Sequence, residues 1–84
     1  VNLKKIPQLP GVYLYYNAQK QVIYVGKAIN LKKRISQYFR SSQKLPAKTA
    51  KLVSEITDIK TITLDSELAA LILEASLIKQ YLPK

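Results

Sequence analysis

Two short runs that favour β-strands lie almost back to back near the start of the chain, and they constrain its fold more than any other feature. GVYLYY at 11–16 and QVIYVG at 21–26 are rich in β-branched and aromatic residues. The NAQK segment between them is typical of a turn. The pattern therefore predicts a β-hairpin.

The register of this hairpin follows if the turn centres between Ala18 and Gln19. Tyr13 then faces Tyr24 as a direct cross-strand pair, about 5 Å apart at Cβ. The other predicted pairs are Tyr16–Gln21, Tyr15–Val22, Leu14–Ile23, Val12–Val25 and Gly11–Gly26. One face is then aliphatic, with Val12, Leu14, Ile23 and Val25, and Tyr16 belongs with it. Tyr15 lies on the tyrosine face.

The rest of the chain predicts three helices and one further strand. These are a helix over 31–40 capped by Asn30, a helix over 47–56, a strand over 59–64, and a helix from Glu67 to Tyr81 capped by Ser66. The order is ββααβα. We expect a single α+β domain over residues 1–84, with a small three-stranded antiparallel sheet flanked by helices.

The last predicted helix is apolar on most of its surface, so its core face is hard to choose. A helical wheel favours a stripe of Leu68, Leu71, Ile72, Ala75 and Ile78. Glu74 lies at the margin of that stripe. A solvated surface glutamate is the commoner explanation for such a position, whereas a buried carboxylate needs a partner.

Charge divides the chain into two unequal parts. Residues 1–54 hold eleven Lys and Arg and no acid, whereas residues 55–84 hold all five acids and three Lys. A one-sided basic surface favours nucleic acid as a partner, with a solvated basic face as the alternative. No apolar run is long enough to span a membrane, and a membrane partner is not expected.

The composition also limits the chemistry. The chain has no His and no Cys, so a histidine base and thiol chemistry are excluded. For phosphodiester hydrolysis, five acids make a typical two-metal carboxylate cluster unexpected. One divalent ion on a single carboxylate is compatible with this composition, with Glu74 as the candidate ligand. Arg34 could bind the phosphate. A tyrosine whose pKa is lowered by Lys27 and Arg34 could serve as the base.

Several motifs resemble a known nuclease family. GVY at 11–13, followed by YVGKAINLKKR at 24–34, resembles the signature of the GIY-YIG nucleases. SELAALILEASLIKQYLPK at 66–84 is similar to the segment that completes this domain in the UvrC excinuclease branch of the family. The resemblance implies a GIY-YIG fold and a metal-dependent DNA endonuclease domain that makes the 3′-side incision of nucleotide-excision repair.

The resemblance also assigns roles to matching positions. It implies catalytic roles for Tyr13, Tyr24, Lys27, Arg34 and Tyr38, a metal-binding role for Glu74, and a capping role for Asn30. Which tyrosine is the base stays open. The basic residues Lys32, Lys33 and Arg40 are expected to contact DNA. Tyr15 matches no catalytic position of the family and is expected to be a packing residue or a DNA contact.

The resemblance further implies a cofactor and partners. These are one Mg²⁺ or Mn²⁺, damaged duplex DNA, and a UvrB-like protein bound through regions outside this chain, for a monomeric domain in the cytoplasm. The chain begins with Val1 and contains no Met, so we expect it to be a fragment of a longer protein. Two alternatives stay open: a GIY-YIG-like module that binds DNA without cutting it, and the same nuclease fused to another DNA-processing protein.

Overall fold

The computed structural model describes residues 5–39 and 46–81. Its elements are β1 (Gly11–Tyr16), β2 (Val22–Ala28), α1 (Leu31–Tyr38), α2 (Ala47–Glu55), β3 (Asp58–Thr63) and α3 (Glu67–Tyr81). The order ββααβα and the antiparallel sheet confirm the predicted fold class. The strand order is β2-β1-β3, so β1 is central and β2 is a sheet edge.

The predicted hairpin register is wrong by two residues. Tyr13 lies opposite Gly26, and Tyr24 lies opposite Tyr15. The connection is longer than the predicted turn, because the Asn17 side-chain oxygen accepts hydrogen bonds from the amides of Gln19 and Gln21, both at 3.0 Å. Such a side-chain-closed turn favours a loop over 17–21, which is one residue longer than the predicted NAQK connection.

A β-bulge accompanies this register. The pairing shifts between Tyr15 and Tyr16, which lie opposite Tyr24 and Val22. The extra residue, Ile23, packs on the tyrosine face, while Val22 packs on the aliphatic face, so their predicted faces are exchanged. A bulge places two residues opposite one, which explains the exchange.

The sheet separates two apolar clusters. On one face, α1 and α2 cover a tyrosine-rich cluster whose fully buried members include Tyr13, Tyr15, Leu31 and Ile35. On the other face, α3 covers an aliphatic cluster of Val12, Leu14, Val25 and Ala70, with Tyr16 packed against it. The predicted assignment of Val12, Leu14, Val25 and Tyr16 to one face is confirmed, because a two-residue shift preserves the alternation of side chains.

Both predicted helix caps are present. The Lys33 amide donates to the Asn30 side-chain oxygen at 3.0 Å, and the Ala69 amide donates to the Ser66 hydroxyl at 3.1 Å. The cap at Asn30 fixes where α1 begins, directly after the end of β2. This cap places the basic first turn of α1 at the end of the edge strand.

The predicted core stripe of α3 is wrong. Ala70 is the buried residue of this helix, and Leu73 and Leu77 pack with it against the sheet. The four large side chains of the predicted stripe, Leu68, Leu71, Ile72 and Ile78, are instead exposed. Because α3 is apolar on most sides, its pattern does not select a face, and the small Ala70 side chain permits close approach to the sheet.

None of the helices described in residues 5–39 and 46–81 has the length and apolar character needed to cross a membrane.

Candidate active site

Four tyrosines form a cluster on one face of the sheet, beside α1. Their ring centroids lie 5.2 to 6.2 Å apart among Tyr13, Tyr15, Tyr24 and Tyr38. The hydroxyl oxygens of Tyr13 and Tyr38 are 3.4 Å apart, and either could donate. Tyr13 and Tyr24 thus meet diagonally, with centroids 6.1 Å apart, rather than as the predicted direct pair.

Gly26 makes room for this arrangement. A β-carbon at Gly26 would overlap the outer ring carbon and the hydroxyl oxygen of Tyr13. Tyr13 is fully buried and therefore cannot swing into solvent. The close approach of the Tyr13 ring to the β2 backbone requires glycine here.

We predict that Gly26→Ala destabilises the domain by about 1–3 kcal/mol, because the added methyl group displaces a packed ring. Urea unfolding measures the change. In a Tyr13→Leu background the same substitution should cost clearly less, since the overlapping ring atoms are gone. An equal cost in both backgrounds would contradict this account.

Burial dominates the ionisation of the tyrosine cluster. It raises the pKa values of Tyr13 and Tyr15 far above the usual value. Burial, followed by the hydrogen bond with Tyr38, raises the pKa of Tyr24 to about 12. The Arg34 guanidinium acts in the opposite direction on the pKa values of Tyr24 and Tyr15, but its effect is smaller. We expected nearby cations to lower the pKa of a tyrosine in this cluster. That prediction is wrong for Tyr13, Tyr15 and Tyr24, because burial raises all three pKa values.

Tyr24 is the most accessible of these three. Tyr13 and Tyr15 are fully buried, whereas Tyr24 is half-buried on the edge strand. The prediction that Tyr15 could contact DNA is wrong, because its side chain has no exposed surface. Within the described residues its hydroxyl oxygen is buried without a hydrogen-bond partner.

A cavity of about 720 Å³ opens at the end of β2, between the start of α1 and the first turn of α3. Its lining residues are Lys27, Ala28, Ile29, Asn30, Lys33, Arg34, Gln37, Glu67 and Ala70. Three of these side chains are cationic, which suits a phosphate group. The volume lies within the range of roughly 300–1,000 Å³ found for small-ligand pockets.

Arg34 connects the cavity with the tyrosine cluster. It lines the cavity, and its charge also acts on Tyr24. Lys27 lines the cavity too, but it shares the strand face of Val25, opposite the face of Tyr24. The structure thus brings the charge of Arg34 within electrostatic reach of Tyr24 and leaves Lys27 on the other face of β2.

The remaining predicted DNA contacts differ in position. Lys33 is exposed and lines the cavity. Lys32 is half-buried and does not line it, although its backbone amide donates to the Pro7 carbonyl at 3.1 Å. Arg40 lies outside the described residues.

Glu67 and Gln37 line the cavity, and sequence reasoning selected neither. Glu67 could have been found from its spacing, since Glu67 and Glu74 lie seven residues apart on α3 and so share one side of the helix. Glu67 therefore faces the basic first turn of α1 across the cavity.

Glu74 does not line this cavity, but it lies one turn beyond Ala70, which does. Its side chain is half-buried. Carboxylate oxygen is a preferred ligand of Mg²⁺, which commonly keeps several waters and needs only one or two protein carboxylates. No three acidic side chains cluster within residues 5–39 and 46–81. These donors fit one cation on a single carboxylate better than a cluster of carboxylates around two ions, and Glu74 as that ligand stays a prediction.

Comparison with known proteins assigns the family. Residues 9–84 match the model of the UvrC-like GIY-YIG domain. The chain belongs to the UvrC-like GIY-YIG domain family. This confirms the family resemblance.

Relatives of this GIY-YIG domain are much longer proteins. UvrABC system protein C from Methanococcoides burtonii is 50% identical over 82 residues, which cover 98% of this chain and 14% of that protein. The protein of the same name from Clostridioides difficile is 52% identical over 83 residues, covering 99% and 14%. The chain thus spans about one seventh of the length of these relatives.

A solved structure shares the GIY-YIG fold along nearly the whole chain. The N-terminal endonuclease domain of UvrC from Thermotoga maritima, bound to its catalytic magnesium ion, superposes with a TM-score of 0.84. It is 36% identical, and the match covers 98% of this chain and 88% of that one. Point mutants of the same domain, including three Tyr→Phe substitutions, are also bound to the divalent cation.

Proposed function

We propose that this GIY-YIG domain is a DNA endonuclease that hydrolyses a phosphodiester with the help of one divalent cation. The observation that carries the proposal is the cavity lined by Lys27, Lys33 and Arg34, since Arg34 also acts on the tyrosine cluster. Membership of a family with a magnesium-bound endonuclease domain supports it. By analogy with UvrABC system protein C, we propose the 3′-side incision of nucleotide-excision repair as the reaction.

The reaction needs a nucleophile, a proton acceptor and charge neutralisation. Water adds to phosphorus, its proton passes to a base, and the bond from phosphorus to the leaving oxygen breaks as that oxygen takes up a proton. A divalent cation held by Glu74 would supply Lewis acidity to the phosphate. In this proposal Arg34 binds a phosphate oxygen, and Lys27 and Lys33 neutralise the flanking strand.

We propose Tyr24 as the tyrosine that handles the proton of the water. It is more accessible than Tyr13 and Tyr15, and the charge of Arg34 favours its phenolate. Tyr13 and Tyr38, whose hydroxyl oxygens are 3.4 Å apart, would hold the cluster in place. Near neutral pH the phenol form of Tyr24 prevails, so its deprotonation in the bound complex is part of the barrier.

We also propose damaged duplex DNA as the substrate and a UvrB-type protein as the partner of the complete chain, as the system name of the relatives suggests. A role in chromosomal repair would place the protein in the cytoplasm. The domain is proposed to act as a monomer.

Arg34→Ala is expected to lower the cleavage rate on the order of 100-fold, because it removes a preorganised charge next to the reacting phosphate. The measurement is single-turnover cleavage of a lesion-bearing duplex by the complete protein with its partner and Mg²⁺. Arg34→Lys should recover only part of the rate, since a lysine keeps the charge but not the forked donors.

Lys60→Ala, which removes an exposed charge from β3, is the matched control and should cut normally. Unchanged cleavage by Arg34→Ala would remove its proposed role. A wild-type protein that binds the duplex but never cuts it would support the DNA-binding module instead.

A further inference from the structure

One large apolar side chain lies on the rim of the basic cavity and has no role in the chemistry above. Ile29 lines the cavity beside Lys27, Lys33 and Arg34, yet 68% of its surface is exposed. Isolated exposed hydrophobic residues are common and need no explanation. The location of Ile29, among the cations that would bind a nucleic-acid backbone, is what distinguishes it.

The backbone on both sides of Ile29 is firmly held. Ala28, the last residue of β2, is paired with Gly11, and Asn30 caps α1. The next amide, that of Leu31, donates to the Leu9 carbonyl at 3.0 Å. An isoleucine side chain also has few rotamers because it is branched at Cβ. Ile29 is therefore a stiff apolar projection on a fixed support.

A second exposed apolar residue lies at the same place. Leu9, whose carbonyl accepts the Leu31 amide, is also exposed. The start of α1 thus combines cationic side chains with apolar ones. Cations contact phosphates without reading the bases, whereas apolar side chains can press between bases and unstack them.

We propose that Ile29 acts as an apolar wedge against the base step next to the phosphate bound in the cavity. In this role Ile29 is a positioning and specificity residue. The domain would then favour DNA whose base stacking is already weakened. This proposal rests on the proposed nuclease function. The cavity cations hold the backbone, and contact with Ile29 offsets part of the cost of unstacking.

If Ile29 is a wedge, the effect of its removal depends on whether the base step is stacked, whereas the effect of removing a general binding contact does not. Ile29→Ala should lower kcat/KM about 10-fold on a fully paired duplex, where the protein must open the step. The loss should be no more than about 3-fold on a duplex with an unpaired bubble at the same step, because the cost of unstacking is already removed. The assay uses the complete protein with its partner and Mg²⁺.

Ile72→Ala is the matched control. Ile72 is the same residue type, is 62% exposed and lies on α3 outside the cavity lining. It should behave like the wild type on both substrates. Both positions are exposed, so both variants should fold, which circular dichroism can check.

A second readout needs no cleavage. In EDTA, the wild type should increase the fluorescence of 2-aminopurine placed at the target step, because unstacking relieves its quenching, and Ile29→Ala should not. Equal kcat/KM losses on both duplexes, or the same fluorescence increase with Ile29→Ala as with wild type, would overturn the wedge. Absence of wild-type cleavage would overturn the nuclease proposal alone, since the fluorescence measurement still decides the wedge.

Discussion

Glu74→Gln is expected to abolish metal-dependent cleavage, with a loss of at least about 1,000-fold in rate. Glutamine keeps the size of the side chain but removes the negative charge that would bind the cation. A metal ion contributes several kcal/mol to the stabilisation of a phosphoryl transition state, and each 1.36 kcal/mol is a factor of ten in rate. DNA binding should persist, because the cavity cations are unchanged.

Two measurements separate metal binding from other effects. The first is Mg²⁺-dependent cleavage of a lesion-bearing duplex by the complete protein with its partner. The second is Mn²⁺ binding by electron paramagnetic resonance, which reports the metal without any reaction. Glu74→Gln should lose both, while binding of the duplex in EDTA stays near the wild-type level.

Glu55→Gln is the charge-matched control for this experiment. Glu55 is exposed at the end of α2, whereas Glu74 is half-buried on α3. The control should retain both cleavage and Mn²⁺ binding. If Glu74→Gln cuts at the wild-type rate, or binds Mn²⁺ with unchanged affinity, Glu74 does not hold the cation.

Tyr24→Phe is expected to reduce cleavage about 100- to 10,000-fold, the range found for loss of a positioned acid–base group. The ring and its packing remain, so only the hydroxyl is tested. The wild-type rate should rise with pH, because the phenolate fraction of Tyr24 grows about tenfold per pH unit below a pKa of about 12. In Tyr24→Phe this contribution to the slope should disappear.

Tyr15→Phe provides a matched control from the same cluster. Tyr15 stacks against Tyr24 with centroids 5.8 Å apart, but its hydroxyl is buried without a partner among the described residues. Its removal should leave cleavage unchanged and raise the free energy of unfolding by about 1 kcal/mol, because an unsatisfied buried polar group is costly. Equal losses of cleavage in both variants would contradict the special role of Tyr24.

The strand and helix pattern was predictable because its signals are local. The bounds of α3 agree with the sequence prediction at both ends, and those of the other helices and of β3 within one or two residues. The Asn30 and Ser66 caps also agree with it. A capping side chain bonds to an amide two or three residues away, so its partner is fixed by the chain itself.

The hairpin register was not predictable to the residue. Asn17 closes a wider loop, and the bulge at Ile23 changes which side chains oppose each other. The energy difference between these turns depends on packing of the strands rather than on the turn sequence alone. The face of each tyrosine was nevertheless predicted correctly, because a two-residue shift leaves the alternation intact.

The choice of which face of α3 packs against the sheet was also made by residues outside the helix. Wheel analysis selected Leu68 and Ile72, both of which are exposed, whereas Ala70 is buried. An almost uniformly apolar helix has no preferred direction of its own. The shape of the sheet selects the face that can approach most closely, and that face holds the smaller side chain.

The sequence by itself determined the element order, the caps, the basic first part of the chain and the residues that mark the GIY-YIG family, because these features depend on neighbouring residues. Only the tertiary structure decided that Tyr13 lies over Gly26, and that Arg34 lines the cavity while its charge also acts on Tyr24. It also decided the direction of the tyrosine pKa values. Sequence shows the cations nearby, but the burial that outweighs them exists only once the sheet and helices are packed together.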